Sequence, residues 1–300
     1  MSPLSAIDRR SGIDALVERW RLIALLIPLL ALDLGLFALP MGYLLRISFA
    51  GRTPGGAFVE GSWSLDGYRY VLDSALVHEI LAFTLLFGVL VTVLSVAIGV
   101  VYAYGTRRAS GWQRTLLLSG AVLSLFTTLV VKLFAVVLVF SPVGVLNDLL
   151  LWVSVLDDPL LLIDNLIGAV LAQLYIVVPY SILAVYAVLS TLEETVVEAA
   201  LDLGADRPRV FREVILPHVR PGIAVGAVIS FTWTVGAYAG PLLLGSGSER
   251  TIGVLVSELL LSRFDWPAAA ALAVVTIAIV FAVLLAALLR LDSGGGALDA

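Results

Sequence analysis

Long apolar runs separated by short polar segments dominate the hydrophobic pattern of this chain. An apolar run of about 20 residues is long enough to cross the hydrocarbon core of a bilayer as a helix. Six runs reach that length, at residues 22–45, 80–104, 115–140, 166–189, 222–244 and 268–289. The pattern therefore predicts an all-α, polytopic membrane protein with six transmembrane helices, whose main partner is the lipid bilayer.

The polar segments set the bounds of this membrane domain. Residues 1–21 predict a cytoplasmic N-terminal segment, residues 22–290 one membrane domain, and residues 291–300 a flexible cytoplasmic tail. The first run has a basic flank, as a signal peptide does. It is too long and lacks a convincing cleavage site, so we expect it to be retained as a helix. Residues 46–79 predict a polar loop, in which YRYVLDSALVHE forms a short helix on the membrane surface.

Composition supports the membrane interpretation and excludes several kinds of site. Hydrophobic residues make up 60% of the chain, charged residues 14%, and mean hydropathy is +1.06, which excludes a soluble globular domain. There is no cysteine and there are only two histidines, far apart, so we expect no metal site. The sequence pI near 5.0 argues against a nucleic-acid partner.

Enzymatic motifs are also missing from the sequence. No GxxxxGK[ST] pattern occurs, so the chain cannot hold ATP by a P-loop, and any nucleotide must bind to a partner. Asp157 and Asp158 suggest a DDxxD motif, but Leu162 stands where that motif needs another acid. We therefore expect no catalytic, cofactor-binding or metal-binding residues.

The distribution of arginine predicts the orientation of the chain, because cytoplasmic loops carry an excess of basic residues. If the N-terminus is inside, twelve arginines lie on the inner side and five on the outer side. The outer five are Arg46, Arg52, Arg69, Arg250 and Arg263. We therefore expect both termini, and the polar loop at residues 191–220, to be cytoplasmic.

That loop is the longest charged segment between two apolar runs, and its sequence predicts two short helices. Thr191 and Glu194 have the form of a capping box at the start of the first helix. Gly204 predicts its end in a left-handed conformation. Asp206 predicts the cap of the second helix, with Pro208 in its first turn, and Pro217 and Pro221 predict its end.

Three carboxylates lie four residues apart on the first of these helices: Glu194, Glu198 and Asp202. Like charges at this spacing destabilise a helix by roughly 0.2–0.5 kcal/mol per pair. Two interpretations remain open from the residues alone. The stripe is either a solvated face of the loop or a face that meets a cationic partner.

The loop also resembles the EAA loop of permease subunits in binding-protein-dependent ABC importers. The family pattern is EAA, three residues, Gly, nine residues, Ile, one residue, and Leu-Pro. Here Glu198, Ala199, Ala200 and Gly204 match, as do Leu216 and Pro217, and Val214 replaces the isoleucine. The resemblance implies that this loop, including Glu194, Asp202 and Ala205, is the coupling helix that docks on a separate ATPase.

The same resemblance implies the partners and the activity. It implies a cytoplasmic ABC ATPase dimer that binds the ATP, a second permease subunit, identical or homologous, and an extracytoplasmic solute-binding protein. The chain would then form the solute path without being an enzyme itself. The alternative function is an ion-gradient-driven secondary transporter, which would be expected to show inverted repeats and an ion site of its own.

Two ionisable residues lie inside apolar runs, where a charge is costly. Asp33 is near the middle of the first run, and we expect it to face the helix bundle or to form a local hydrogen bond. Lys132, the only lysine, lies in the third run. Lys132 either pairs with a carboxylate such as Asp33, bonds to a helix-end carbonyl, or faces a water-filled path.

Short segments further resemble the spermidine/putrescine-type branch of these permeases. They lie around Lys132, Gly240 and Trp266, and Lys132 replaces the arginine that this branch uses. The resemblance implies a polyamine-like small solute, although the branch also includes importers of thiamine, iron and phosphonates. Lys132, Tyr175 and Tyr238 are the candidate residues for lining the solute path.

Overall fold

The structure is a computed structural model that describes residues 26–53 and 56–295. A short hairpin of two antiparallel strands, β1 (Gly51–Thr53) and β2 (Gly56–Val59), follows the first helix. The helices are α1 (Leu26–Ser48), α2 (Asp66–Asp73), α3 (Ala75–Arg108), α4 (Gly111–Phe126), α5 (Leu129–Phe140), α6 (Val145–Trp152), α7 (Leu166–Leu189), α8 (Glu194–Asp202), α9 (Arg207–His218), α10 (Arg220–Val235), α11 (Ala239–Leu244), α12 (Ile252–Leu261) and α13 (Trp266–Gly295). The predicted segment 1–21 lies outside the described residues.

The described residues contain five helices that are long and apolar enough to span a membrane, or six if the bent pair of α9 and α10 is one span. The prediction of six spans is therefore consistent with the structure, but two of the predicted runs are divided. The run at 115–140 breaks between α4 and α5, and the long apolar segment there is Leu129–Trp152. The run at 222–244 breaks between α10 and α11.

The first part of helix α1 stands apart from the rest of the described chain, whereas its second part, Leu39–Ser48, contacts α13. The membrane-spanning window of α1 has no buried residue, and only the last two residues of the helix, Ile47 and Ser48, are buried. Asp33 is exposed on α1, directly before a π-helical segment at Leu34–Ala38. Of the two alternatives for Asp33, facing the helix bundle is therefore wrong, because the part of α1 that carries it is exposed within the described chain, and a local hydrogen bond stays a prediction.

Helices α3, α7 and α10 form the core and pack against one another more extensively than any other helices. Small residues permit this close packing: a Cβ atom on Gly99 of α3 would lie 2.9 Å from the Cβ of Ser181 on α7. Three fully buried serines join the same helices. The Oγ of Ser95 lies 2.8 Å from that of Ser181 and 3.1 Å from that of Ser230, and the last two are 3.0 Å apart.

This contact predicts a difference between two glycines of α3. Gly99→Ala should destabilise the folded chain by about 1–3 kcal/mol, because the added methyl group overpacks the contact with Ser181. Gly105→Ala is the matched control, since nothing lies within 4 Å of a Cβ at that position. Thermal unfolding of the purified proteins in detergent measures both. Equal unfolding temperatures for the two variants would contradict the close packing.

The two ends of the bundle are built differently. At one end, the hairpin end, α2 and α12 pack on the starts of α3 and α13 around Val71, Ile80, Leu255 and Leu272. The predicted surface helix YRYVLDSALVHE is divided here, because α2 ends at Asp73 and Ser74 caps α3 with its side chain. At the other end, the loop end, lies the segment 191–220. Helix α13 continues to Gly295, five residues into the predicted tail, and residues 296–300 lie outside the described chain.

Candidate functional site

The segment 191–220 forms two short helices, α8 and α9, joined by a tight turn. Gly204 has a φ of +87°, as its predicted role at the helix end requires. Around it, the N–H of Ala205 donates to the carbonyl of Ala200 at 3.1 Å, and the N–H of Gly204 to that of Leu201 at 2.9 Å. This pair of bonds is the Schellman motif, which satisfies the last carbonyls of α8.

The predicted boundaries of the two helices are partly confirmed. Asp206 caps α9 by accepting the N–H of Arg209 at 2.9 Å, as predicted. The capping box is wrong: α8 begins at Glu194, and the hydroxyl of Thr191 instead donates to the carbonyl of Val188 at 2.8 Å. The hydroxyl of Thr191 makes this hydrogen bond because Thr191 lies in the turn that ends α7.

The second helix ends between Pro217 and Pro221, as predicted. Pro217 occupies the last turn of α9, which ends at His218, and the chain then bends by 65° into α10. The preceding segment, Phe211–Ile215, is π-helical. Pro221 lies in the first turn of α10, where a missing N–H removes no helical hydrogen bond. Pro217 and Leu216 are both half-buried beneath the loop.

One side of α8 is open to the surroundings. Six exposed residues form this side, and we call them the outer face: Glu194, Val196, Glu198, Ala199, Asp202 and Leu203. Leu203 is 88% exposed, and Val196 is 45% exposed. The carboxyl of Glu198 makes no hydrogen bond or ion pair among the residues that the structure describes. The outer face therefore combines three carboxylates with apolar side chains. The sequence pattern identified the carboxylates, but it did not predict that the side chain of Leu203 is exposed beside them.

The opposite side of α8 is attached to the core. Val197 and Ala200 pack on a cluster of buried residues from α3, α7, α9 and the junction before α10: Val100, Ala103, Val185, Leu189, Val210, Ile215 and Val219. Arg107 at the end of α3 donates to the carbonyl of Leu189 at 2.9 Å and to that of Leu192 at 2.8 Å. These contacts attach the loop to α3, to α7 and to the junction before α10. The sequence did not predict these hydrogen bonds of Arg107, because it shows Arg107 only as one of the basic residues that follow an apolar run.

The turn at Gly204 gives a second prediction. Gly204→Ala should destabilise the loop by about 1–2 kcal/mol, because an L-residue with a Cβ is strained at this φ although no neighbouring atom would be in the way. Gly204→Asn should recover most of the loss, since asparagine tolerates the left-handed region. Hydrogen exchange of the amides in residues 194–205 measures the effect. An asparagine variant that exchanges as fast as the alanine variant would contradict this explanation.

The structure places two of the three candidate path residues together. Lys132 on α5 is 4% exposed, and its Nζ lies 5.8 Å from the centroid of the Tyr175 ring on α7. Among the described residues, Lys132 forms no ion pair with Asp33 or with any other carboxylate. Tyr175 also lines an apolar cavity of about 520 Å³ between α3, α4, α5 and α7.

Tyr238, the third candidate, lies between α10 and α11 in a separate cavity. This space of about 430 Å³ is bounded by α11, α12 and the segment between them, and it includes Glu249, Arg250 and Glu258. The carboxyl of Glu258 pairs with Arg263 at 2.7 Å and Arg250 at 3.5 Å. Tyr238 is 42% exposed, so its ring is available to a molecule in the cavity.

Glu249 is held in its charged form at the edge of this cavity. Partial burial of the carboxyl opposes ionisation, but hydrogen bonds from Ser246 and Ser248 outweigh it, so the pKa of Glu249 is lowered. The cavity therefore keeps a negative charge at neutral pH beside an aromatic ring. No group of histidine, cysteine and carboxylate side chains suited to a metal ion occurs in the residues described.

Comparisons with known proteins agree with this architecture. The sequence model of the family "Binding-protein-dependent transport system inner membrane component" matches residues 95–291. The spermidine/putrescine transport system permease protein PotB of Escherichia coli is 28% identical over 247 residues, covering 82% of this chain and 89% of PotB. The inner membrane ABC transporter permease protein YdcU of Escherichia coli is 32% identical over 237 residues, covering 74% of this chain and 73% of YdcU.

The fold also matches a solved structure. A chain of a bacterial ABC transporter involved in the import of the acidic polysaccharide alginate superimposes with a TM-score of 0.72, at 18% identity. The match covers 92% of this chain and 96% of that chain. The likeness shows that the two chains share a fold.

Proposed function

Since this chain belongs to the family of binding-protein-dependent transport system inner membrane components and is the permease subunit of an ABC importer, we propose that α8 couples a separate ATPase to a path for a polyamine-like cation. The observation that carries the coupling role is the contrast between the two sides of α8. Its outer face is exposed, while its inner side is fixed to α3, α7 and α10. A helix held in this way can receive a push from a partner and pass it to the core.

The proposed arrangement assigns a partner to each side of the membrane. A dimer of cytoplasmic ABC ATPase subunits binds the ATP, one of these subunits docks on the outer face of α8, and both termini of this chain lie on that side. A second permease subunit, identical or homologous, completes the pore. An extracytoplasmic solute-binding protein delivers the solute, and the arginine distribution supports this orientation.

Charge and aromatic content support a cationic solute. The cavity at Tyr238 offers an aromatic face and the ionised carboxyl of Glu249, and both attract ammonium groups. PotB of Escherichia coli is named for the transport of spermidine and putrescine, and both of these compounds are polyamines. We propose that the solute first meets Tyr238 and then passes the Lys132 and Tyr175 region.

An ion-gradient-driven secondary transporter was the alternative function. Membership in the binding-protein-dependent family argues against it, because transport in this family proceeds as ABC import.

The first experiment is a purification of the full chain from its native membrane in mild detergent. We expect an ATPase subunit and ATP hydrolysis to accompany the wild-type chain. Uptake of radiolabelled spermidine into vesicles containing the purified complex then tests the solute. Purification without an ATPase would overturn the coupling role, and a complex that hydrolyses ATP but takes up neither spermidine nor putrescine would overturn the solute assignment.

A further inference from the structure

A second polar cavity lies at the loop end, between the end of α3 and the inner edge of α8 and α9. It has a volume of about 310 Å³ and is separate from the cavity at Tyr238, and Glu194 is the residue that it shares with the outer face. Its lining residues are Tyr104, Arg107, Arg108, Glu194, Val197, Leu201, Arg207, Val210 and Ile215. The coupling role proposed above does not require this cavity.

The charges around the cavity are not balanced. Three guanidinium groups, from Arg107, Arg108 and Arg207, face a single carboxyl, that of Glu194. None of these four groups forms an ion pair within the described ranges, whereas the nearby Arg209 pairs with Glu213 at 3.0 Å. The lining therefore has an excess of two positive charges, and an anion in the cavity would gain from it.

Two of the three arginines, Arg107 and Arg108, are also restrained by contacts. Arg107 is fixed by its two bonds to the carbonyls of Leu189 and Leu192, which leave further N–H donors of its guanidinium group free. The guanidinium carbon of Arg108 lies 5.7 Å from the centroid of the Tyr104 ring. Groups restrained before binding lose less entropy when an anion is bound. A phosphate group suits such a set, because guanidinium groups bind its oxygens in pairs.

The position of the cavity along α3 indicates where the phosphate comes from. The apolar run of α3 ends at Tyr104, and Arg107 and Arg108 follow within one turn. The cavity thus begins where the hydrocarbon core ends, at the level of lipid headgroups. Part of its lining is apolar, formed by Val197, Leu201, Val210 and Ile215, and suits the first carbons of the acyl chains.

We propose that this cavity binds a phosphate group carried by an anionic phospholipid of the same membrane leaflet. A lipid bound there would contact α3, α8 and α9 together and would stabilise the loop in the conformation described. The loop would then be better ordered in membranes rich in anionic lipid. Soluble phosphate shares the same chemistry and is the source to be distinguished.

The test uses the full chain in nanodiscs that contain either phosphatidylcholine alone or a mixture with phosphatidylglycerol. The variant is Arg108→Gln together with Arg207→Gln. Arg209→Gln together with Arg212→Gln is the matched control, because it also removes two arginine charges, from a part of α9 outside the cavity. Native mass spectrometry counts the phosphatidylglycerol that stays bound, and the unfolding temperature is measured in both lipid compositions.

We expect the wild-type chain and the control to retain phosphatidylglycerol and to be stabilised by it. The double variant should bind it at least about tenfold more weakly, since it loses two charged donors. If inorganic phosphate in detergent protects the wild-type chain as well as phosphatidylglycerol does, the source is soluble. Equal retention by the double variant and the control, or no protection by either phosphate source, overturns the proposal. Neither result depends on an ATPase or on spermidine, so failure here leaves the proposed function standing.

Discussion

Replacing Glu198 by arginine is expected to abolish solute uptake while the chain still folds and inserts into the membrane. Glu198 is exposed on the outer face of α8 and makes no contact that holds the described chain together. The new arginine would lie four residues from both Glu194 and Asp202, so it would relieve repulsion within α8 and stabilise the helix by a few tenths of a kcal/mol. Any loss of function is therefore a loss of docking.

The expected size of that loss follows from the charge reversal. A carboxyl that meets a cation on the ATPase becomes a like charge, which costs roughly 2–5 kcal/mol at a buried contact and lowers the affinity by more than tenfold. Uptake should fall to background, and the ATPase should no longer purify with the chain. Both are measured in the same preparation, by radiolabelled uptake and by ATP hydrolysis.

Glu213→Arg is the matched control for this change. It reverses the same charge in the same loop, but Glu213 lies on α9 and loses only an exposed pair with Arg209, worth about 0–1 kcal/mol. Its uptake should stay near the wild-type level. Normal uptake by Glu198→Arg would exclude a coupling role for the outer face.

Replacing Arg107 by glutamine is expected to separate ATP hydrolysis from transport. The outer face remains intact, so the ATPase should still bind and hydrolyse ATP. Hydrogen bonds from a charged donor are worth about 1.5–3 kcal/mol each, and Arg107 makes two of them between α3 and the start of the loop. Without them, a displacement of the loop no longer moves α3, and we expect uptake to fall by more than about tenfold.

Arg212→Gln is the control here, because Arg212 is exposed on α9 and makes no hydrogen bond in the described part of the chain. The ratio of ATP hydrolysed to spermidine taken up is the decisive measurement. It should rise in Arg107→Gln and stay constant in Arg212→Gln. If Arg107→Gln instead loses the ATPase, then Arg107 maintains the shape of the docking surface and transmits nothing.

Local sequence signals predicted local structure well in this chain. The apolar runs predicted the spans because the bilayer sets a minimum length, and Gly204 and Asp206 predicted a turn and a cap because each requires a specific residue type. The capping box failed because Thr191 has a second use for its hydroxyl, in the turn that closes α7. A sequence motif cannot show which of two available carbonyl or N–H groups a side chain will contact.

Features that depend on distant contacts could not be predicted in the same way. The break between α4 and α5 and the break between α10 and α11 interrupt continuous apolar runs, because hydropathy records burial in lipid and not the direction of a helix. The bonds of Arg107 join residues more than 80 positions apart in the sequence. Because a charge is costly in a membrane, we expected Asp33 to face the helix bundle or to form a local hydrogen bond, but a single sequence does not reveal that the first part of α1 is exposed.

The three buried serines restrict how this permease can change shape. Each hydroxyl has one proton to donate, so the ring of Ser95, Ser181 and Ser230 is complete only while α3, α7 and α10 keep their present register. Sliding one helix by a single residue, about 1.5 Å, would break two of the three contacts in a place that water does not reach. The core should therefore rock as one block, and the hinges should lie at its margins, where the chain bends before α10 and breaks after it.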